Sequence, residues 1–323
     1  MSANNTVLYG ITVLIWGSTW FAIDHQLGVV SPEVSVFYRY AAAALLLLAW
    51  IALRGGRLRF SLSDHLRFAI LGCCLFGFNF ILAYSAQQYI SSAMTAVAFS
   101  TMLWMNIINA RLLFGTPIDV RVAAGSVIGI AGLAMLFAPE ISSLSTGDAT
   151  LAGAALAISS ALIASFGNMA SQAMQKRKLP VLQANAWGML YGAVITGLYA
   201  YAKGSEFIVD PSFSYWASML YLVVFGSIVA FGAYLTLLGR IGAHKASYAV
   251  VMFPVVAILL SLLFEDLKIT GNLIAGVALI LLGNIITLGR VGGVGRRRRY
   301  LAEGPPCQAR NRQPSADLTS TSV

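Results

Sequence analysis

Apolar residues in this chain run on without alternating with polar ones. Stretches of about twenty mostly apolar residues, the length a helix needs to cross a bilayer, recur at 7–24, 34–53, 66–86, 94–113, 121–138, 150–172, 182–202, 214–238, 246–264 and 270–289. Short segments rich in Gly, Pro, Arg and Lys separate them. The pattern predicts an all-α polytopic membrane protein with ten transmembrane helices. No basic stretch precedes the first apolar run and no cleavage site follows it, so that run is expected to be a retained helix and not a signal peptide.

The pattern also repeats. A shift of 151 residues lays "YISSAMTAVAFSTMLWMNIINARLLF" on "RIGAHKASYAVVMFPVVAILLSLLFE" without a gap, and carries Gly125 onto Gly276 and Gly132 onto Gly283. Five spans per copy is an odd number, so the second copy enters the membrane upside down relative to the first. Loop charge agrees: uncharged "YISSA" corresponds to the segment from Arg240 to Lys245, and "FGTPIDVR" to acidic "EDLKIT". The reading is two inverted five-helix repeats, 1–140 and 146–290, followed by a basic tail, 291–323. Inverted repeats with a site at their interface are a common plan of secondary transporters.

Composition fixes the solvent. Hydrophobic residues make up 58% of the 323 and charged residues only 10%, against about 25% charged in soluble domains; mean hydropathy is +0.78. Of the 21 Lys and Arg, eighteen fall in loops and the tail on one side, only Lys203 and Lys268 on the other, and Arg39 within a span. The positive-inside tendency then predicts both termini cytoplasmic, in a bacterial inner membrane. The formal charge of +9 sits in short loops and a tail, which argues against nucleic acid as a partner. The Arg296–Arg299 run is expected on anionic headgroups, and the tail beyond it, lacking any apolar period, reads as disordered. Three cysteines, two of them the adjacent Cys73 and Cys74, build no disulfide framework.

Three segments resemble one family. "WGSTWF" in the first span, Pro32 seven residues before Arg39, and "VVMFPVVAILLSLLFED" followed by "GNLIAGVALILLGN" are similar to the EamA-type carriers of the drug/metabolite transporter superfamily. The likeness covers about 7–290. It implies a polytopic carrier that moves small metabolites through a central cavity between its halves. One departure stands out: Leu103 and Phe114 occupy first-copy positions where the family often has Pro and Glu.

Several polar and aromatic side chains lie where leucine would serve if lipid were the only neighbour. Trp16 is at mid-span, about 13 Å from either end, away from the interfaces where anchoring tryptophans sit. It shares a face with Thr19 and Trp20, beside Ser18. Gap-filling and cavity lining are both open readings, and the candidate site takes the second. Arg39 either faces a water-filled cavity with Asp24 or Glu33 as partner, or snorkels to the headgroups. Amides recur at mid-depth: Asn79, then Asn106 and Asn109 on one face, then Ser165, Asn168 and Gln172 on another, with Asn185 beyond. Asn284 reads as structural. Pro254 frees the carbonyl of Val250 and predicts a broken helix along the pathway, with the hydroxyls of Tyr234 and Tyr248 nearby.

The carboxylates and the three histidines lie at helix ends, in loops or in the tail. That pattern argues against a buried proton relay, a metal site or a paired nucleophile and base, so no enzyme, metal or cofactor is expected. The expected partner is a small neutral, zwitterionic or weakly anionic organic solute, exported or exchanged by alternating access. A lipid-linked flippase is the alternative, a membrane sensor a weaker one, and no oligomeric state is read from the chain.

Overall fold

The computed structural model describes residues 3–90, 92–118, 120–136, 148–250, 252–253, 255–256, 260 and 270–288. Pro254 and the tail with Arg296–Arg299 lie outside them, as does the side chain of Asn284. The regular elements among the described residues are all helical. They are α1 (Ala3–Asp24), α2 (Pro32–Leu53), α3 (Leu62–Leu71) running through a π-helical stretch (Gly72–Gly77) into α4 (Phe78–Ala86), α5 (Ser92–Phe99), α6 (Met102–Phe114) and α7 (Val120–Leu136). Then come α8 (Asp148–Lys176), α9 (Val181–Lys203), α10 (Phe213–Tyr221) running through a second π-helical stretch (Leu222–Val229) into α11 (Ala230–Ile241), the single turn α12 (Ala243–Ala246) and α13 (Gly271–Leu288). Residues 248–260 are helical wherever described.

Local chemistry sets the helix ends. Pro32 opens α2, where its missing N–H costs nothing. The Ser61 hydroxyl accepts from the Asp64 N–H at the start of α3. Gly115 and Gly204 close α6 and α9 with φ of 64° and 78°, a conformation a side chain resists.

Burial is inside-out for a soluble protein. Asn79, Asn106, Ser126, Ser160, Asn168 and Ser247 are at most 2% exposed, whereas Leu14, Leu45, Leu66 and Leu198 are more than 60% exposed. An apolar exterior around a hydrogen-bonded interior is what hydrocarbon demands. Five helical stretches among the described residues are long and apolar enough to cross a membrane, with shorter apolar helices beside them.

Contacts between helices reveal the inversion. A β-carbon on Gly132 would lie 2.8 Å from the Gly276 carbonyl oxygen, and one on Gly283 would lie 2.5 Å from that of Gly125. The 151-residue shift turns the first contact into the second. One index rises while the other falls, so α7 and α13 run antiparallel. The same reciprocity holds elsewhere: Gly167 abuts Leu75, and their respective images are Trp16 and Gly226, which are hydrogen-bonded. An axis that maps each element onto an antiparallel partner is the signature of inverted copies. The copies interlock, and residues 1–287 form one compact unit.

Two features depart from the sequence reading. The span at 94–113, expected as one helix, is broken at Ser100 and Thr101, where N–H groups reach back three residues from Thr101 to Ala98 and from Leu103 to Ser100. No proline causes it; the Thr101 hydroxyl donates to the Ala98 carbonyl at 2.7 Å and competes with the helical ladder. The break expected at Pro254 falls outside the described residues, but this one occupies the equivalent region of the first copy. The second feature is the pair of π-helical stretches. The shift places 72–77 on 223–228, inside the second stretch, so the backbone irregularity itself is duplicated.

Candidate functional site

The second π-helical stretch organises the site. In an α-helix the Ala230 N–H would bond the Gly226 carbonyl; here it reaches Phe225 instead. That leaves the Gly226 oxygen open, a free acceptor that lipid could not satisfy. Trp16 answers it, its indole Nε1 donating to that oxygen at 3.0 Å. The next residue, Ser227, donates its hydroxyl to the Leu222 carbonyl five residues back and accepts from the Arg39 Nε at 2.9 Å. One local widening of the helix therefore orients both a tryptophan and an arginine from the first copy. A tryptophan does at position 16 what leucine could not.

Around these groups lies a cavity that communicates with open space. Its rings are Trp16, Trp20, Phe80, Phe99, Phe231, Tyr234 and Phe253; its polar groups are Thr19, Arg39, Asn79 and Asn168. It sits at mid-depth and extends toward the bundle end that bears Asp24 and Ala86, through Ile23 and Ala83. The rings interlock edge to face: Trp16 with Phe231 at 4.6 Å and with Phe253 at 5.7 Å, Trp20 with Phe99 at 5.7 Å. Phe80 and Phe231 are images of one another under the repeat and stand 6.2 Å apart.

Arg39 is 1% exposed and does not snorkel. Its guanidinium lies 4.8 Å from the Phe80 ring centroid and 5.1 Å from that of Tyr40, and its Nη1 makes a long contact of 3.4 Å to the Tyr84 hydroxyl. The expected carboxylate partners are elsewhere. Asp24 is exposed at the end of α1. Glu33, 1% exposed, is held by Lys203 at 2.9 Å and by the Ser205 hydroxyl. Among the described residues no carboxylate pairs with Arg39.

The other candidates divide. Asn79 lines the cavity, but its amide is committed: Nδ2 donates to the Leu75 carbonyl and Oδ1 accepts from Ser160. Asn168 lines it with Nδ2 donating to the Tyr234 hydroxyl at 3.1 Å, while its buried Oδ1 has no partner among the described residues. Ser18, Asn106, Asn109, Gln172 and Tyr248 are not among the lining residues. Ser18 bonds the Tyr221 hydroxyl and the carbonyls of its own helix. Asn109 donates to Ser165 at 2.9 Å, and Asn106 to Ser247. Tyr248 bonds Ser126 and the Val122 carbonyl, and its own carbonyl accepts from Tyr9. Gln172 has a buried Oε1 without a partner among the described residues.

The bonds of Asn106, Asn109 and Tyr248 form a seam between copies on the side of the cavity away from Asp24. Sequence reasoning missed Phe80, Phe231 and Ser227, though the first two answer each other across the repeat. Among the described residues no group of His, Cys, Asp and Glu is gathered to hold a metal.

Comparison with known proteins fits this geometry. The chain is 32% identical over 251 residues to the uncharacterized inner membrane transporter YedA of Escherichia coli K12, covering 76% of this chain and 78% of that one. It is 27% identical over 283 residues to the uncharacterized transporter YoaV of Bacillus subtilis, covering 86% and 94%. A solved crystal structure superposes with a TM-score of 0.73 over 94% of this chain and all of the other at 19% identity, which speaks for the fold alone. The EamA-like transporter family matches twice, at residues 6–138 and again at 151–289. This multi-pass membrane protein belongs to the EamA-like transporter family, within the drug/metabolite transporter superfamily.

Proposed function

We propose that this chain is a secondary carrier of small organic metabolites, amino acids or related neutral and zwitterionic solutes, which it exports or exchanges by alternating access. The observation that carries the reading is the ring-lined cavity at mid-depth, built from both copies and bounded on one side by a hydrogen-bonded seam. Rings offer apolar contact, Thr19 and Asn168 offer polar contact, and a seam of a few hydrogen bonds is weak enough to break in a transport cycle. The basic loops support cytoplasmic termini, and YedA, named an inner membrane transporter, supports a bacterial inner membrane. The Arg296–Arg299 run supports contact with anionic headgroups at about 1 kcal/mol per basic residue.

Counterflow into proteoliposomes with a panel of radiolabelled metabolites tests the function. Uptake of at least one solute, lost in Trp16→Ala, is expected. Inertness toward every aqueous solute, with movement of a lipid-linked substrate, would replace the reading with a flippase. In a protein freed of native cysteines, Glu206→Cys should react with an impermeant thiol reagent from outside and Arg57→Cys should not; the reverse overturns the orientation.

A further inference from the structure

Resting on the carrier reading, we infer that Arg39 is the anchor for a carboxylate on the solute, so that the cavity takes small organic carboxylates with an apolar body. An arginine stays charged in a protein, and a charge 1% exposed inside a membrane protein needs a counter-charge or water. Here the guanidinium has one short hydrogen bond to a neutral hydroxyl, one long one, and two ring faces. None of these carries a full negative charge. Of the two carboxylates expected as its partner, Asp24 is exposed at the end of α1 and Glu33 is taken by Lys203.

Two bonds through Nε and Nη1 leave donors on the fork. Nη2 lies beside Gly226, where a β-carbon would come within 3.2 Å of it, and Arg39 itself lines the cavity. A fork with free donors in a cavity matches the two oxygens of a carboxylate. The rest of the cavity matches an apolar body, since its walls are largely rings. The Oδ1 of Asn168, 0% exposed and without a partner among the described residues, adds an acceptor for an N–H or O–H on the same solute.

The test uses the purified full-length protein and two matched pairs of probes: 4-methylpentanoate and 3-phenylpropionate, each beside its neutral amide. Binding is read by quenching of tryptophan fluorescence, and transport by counterflow in proteoliposomes. Wild type should bind each carboxylate at least about 10-fold more tightly than its amide, the scale of a hydrogen bond to a charged group. Arg39→Gln should erase that preference while leaving the amides bound. A second measurement needs no variant. Carboxylate binding to wild type should fall as pH drops through about 4.5, where a carboxyl protonates, while amide binding holds.

Equal affinity for acid and amide, or an equal loss of both in Arg39→Gln, overturns the anchor while counterflow of the same probes leaves the carrier intact. Absence of both binding and counterflow for all four probes also overturns it. Counterflow of other metabolites in that case keeps the carrier reading, and its absence for them too removes both.

Discussion

The two π-helical stretches are the same backbone device used for different ends. In the first copy Leu75 fills the space against Gly167; in the second Gly226 faces Trp16. The large and small partners have changed places. On the first-copy side a leucine plugs the gap, and its carbonyl accepts from the Asn79 amide of the same helix. On the other, the missing side chain at Gly226 leaves its carbonyl open to Trp16 and leaves room for Arg39. The polar images differ likewise, Asn79 answering to Ala230 and Asn168 to Gly17. The fold is symmetric while the chemistry is not, so substitutions at paired positions should fail in different ways.

The largest difference is expected at the two glycines. A β-carbon on Gly167 would lie 2.8 Å from that of Leu75 and 3.2 Å from its Cα, so Gly167→Leu must push α8 away from the first π-helical stretch. Overpacking of that kind costs about 1–3 kcal/mol or more, and the yield of monodisperse protein and the melting temperature should both fall. A β-carbon on Gly226 meets the Thr19 methyl at 3.1 Å, the Arg39 Nη2 at 3.2 Å and the Leu222 Cδ2 at 3.5 Å, all side-chain atoms and none of them backbone. Gly226→Leu should fold and lose transport by roughly 100-fold, comparable to misplacing a positioned group by an ångström. A stable Gly167→Leu, or a Gly226→Leu that transports normally, breaks the comparison.

Trp16→Phe sharpens it by removing one N–H while keeping a ring. The Gly226 carbonyl then loses its donor, and an unsatisfied buried acceptor costs about 1–3 kcal/mol. Transport should drop about 10-fold and the melting temperature should fall. Leu75→Ile, a near-isosteric change at the image of Gly226, should leave transport close to wild type. If Trp16→Phe is silent, the freed carbonyl is not what holds the indole.

The sequence made the membrane class and the duplication legible because both depend on long-range averages: twenty apolar residues read the same whichever neighbour they face. The inversion was legible from an odd span count and from loop charge. Of the site, Trp16, Thr19, Trp20, Arg39, Asn79, Asn168 and Tyr234 line the cavity, while Asn106, Asn109 and Tyr248 make bonds between helices. Helical spacing states which residues share a face, but not which helix that face meets. Neither carboxylate expected beside Arg39 is there for a related reason: Asp24 is exposed at the end of α1, and the turn of α2 aims Glu33 at Lys203 on α9. The helix break at Ser100 left no signal, because a hydroxyl competing for a carbonyl needs neither proline nor glycine.

The smallest effect is expected at the seam. Asn106 donates to Ser247 and accepts from Asn168, joining the copies on the side opposite Ile23. These bonds exist in the arrangement described here, and the opposite-facing arrangement has to break them. Asn106→Ala removes about 1 kcal/mol from one state only, enough to shift the balance roughly 5-fold. A reporter is available at Thr12, fully buried and one helical turn from Trp16 on the same face, toward the seam. In a background without Cys73, Cys74 and Cys307, Thr12→Cys should react with a thiol reagent several-fold faster when Asn106→Ala is present. Thr196→Ala is the control, since that hydroxyl bonds only carbonyls of its own helix, and it should leave the rate unchanged. An unchanged rate in Asn106→Ala would mean that the seam is static packing, and that asymmetry between the copies ends at the cavity wall.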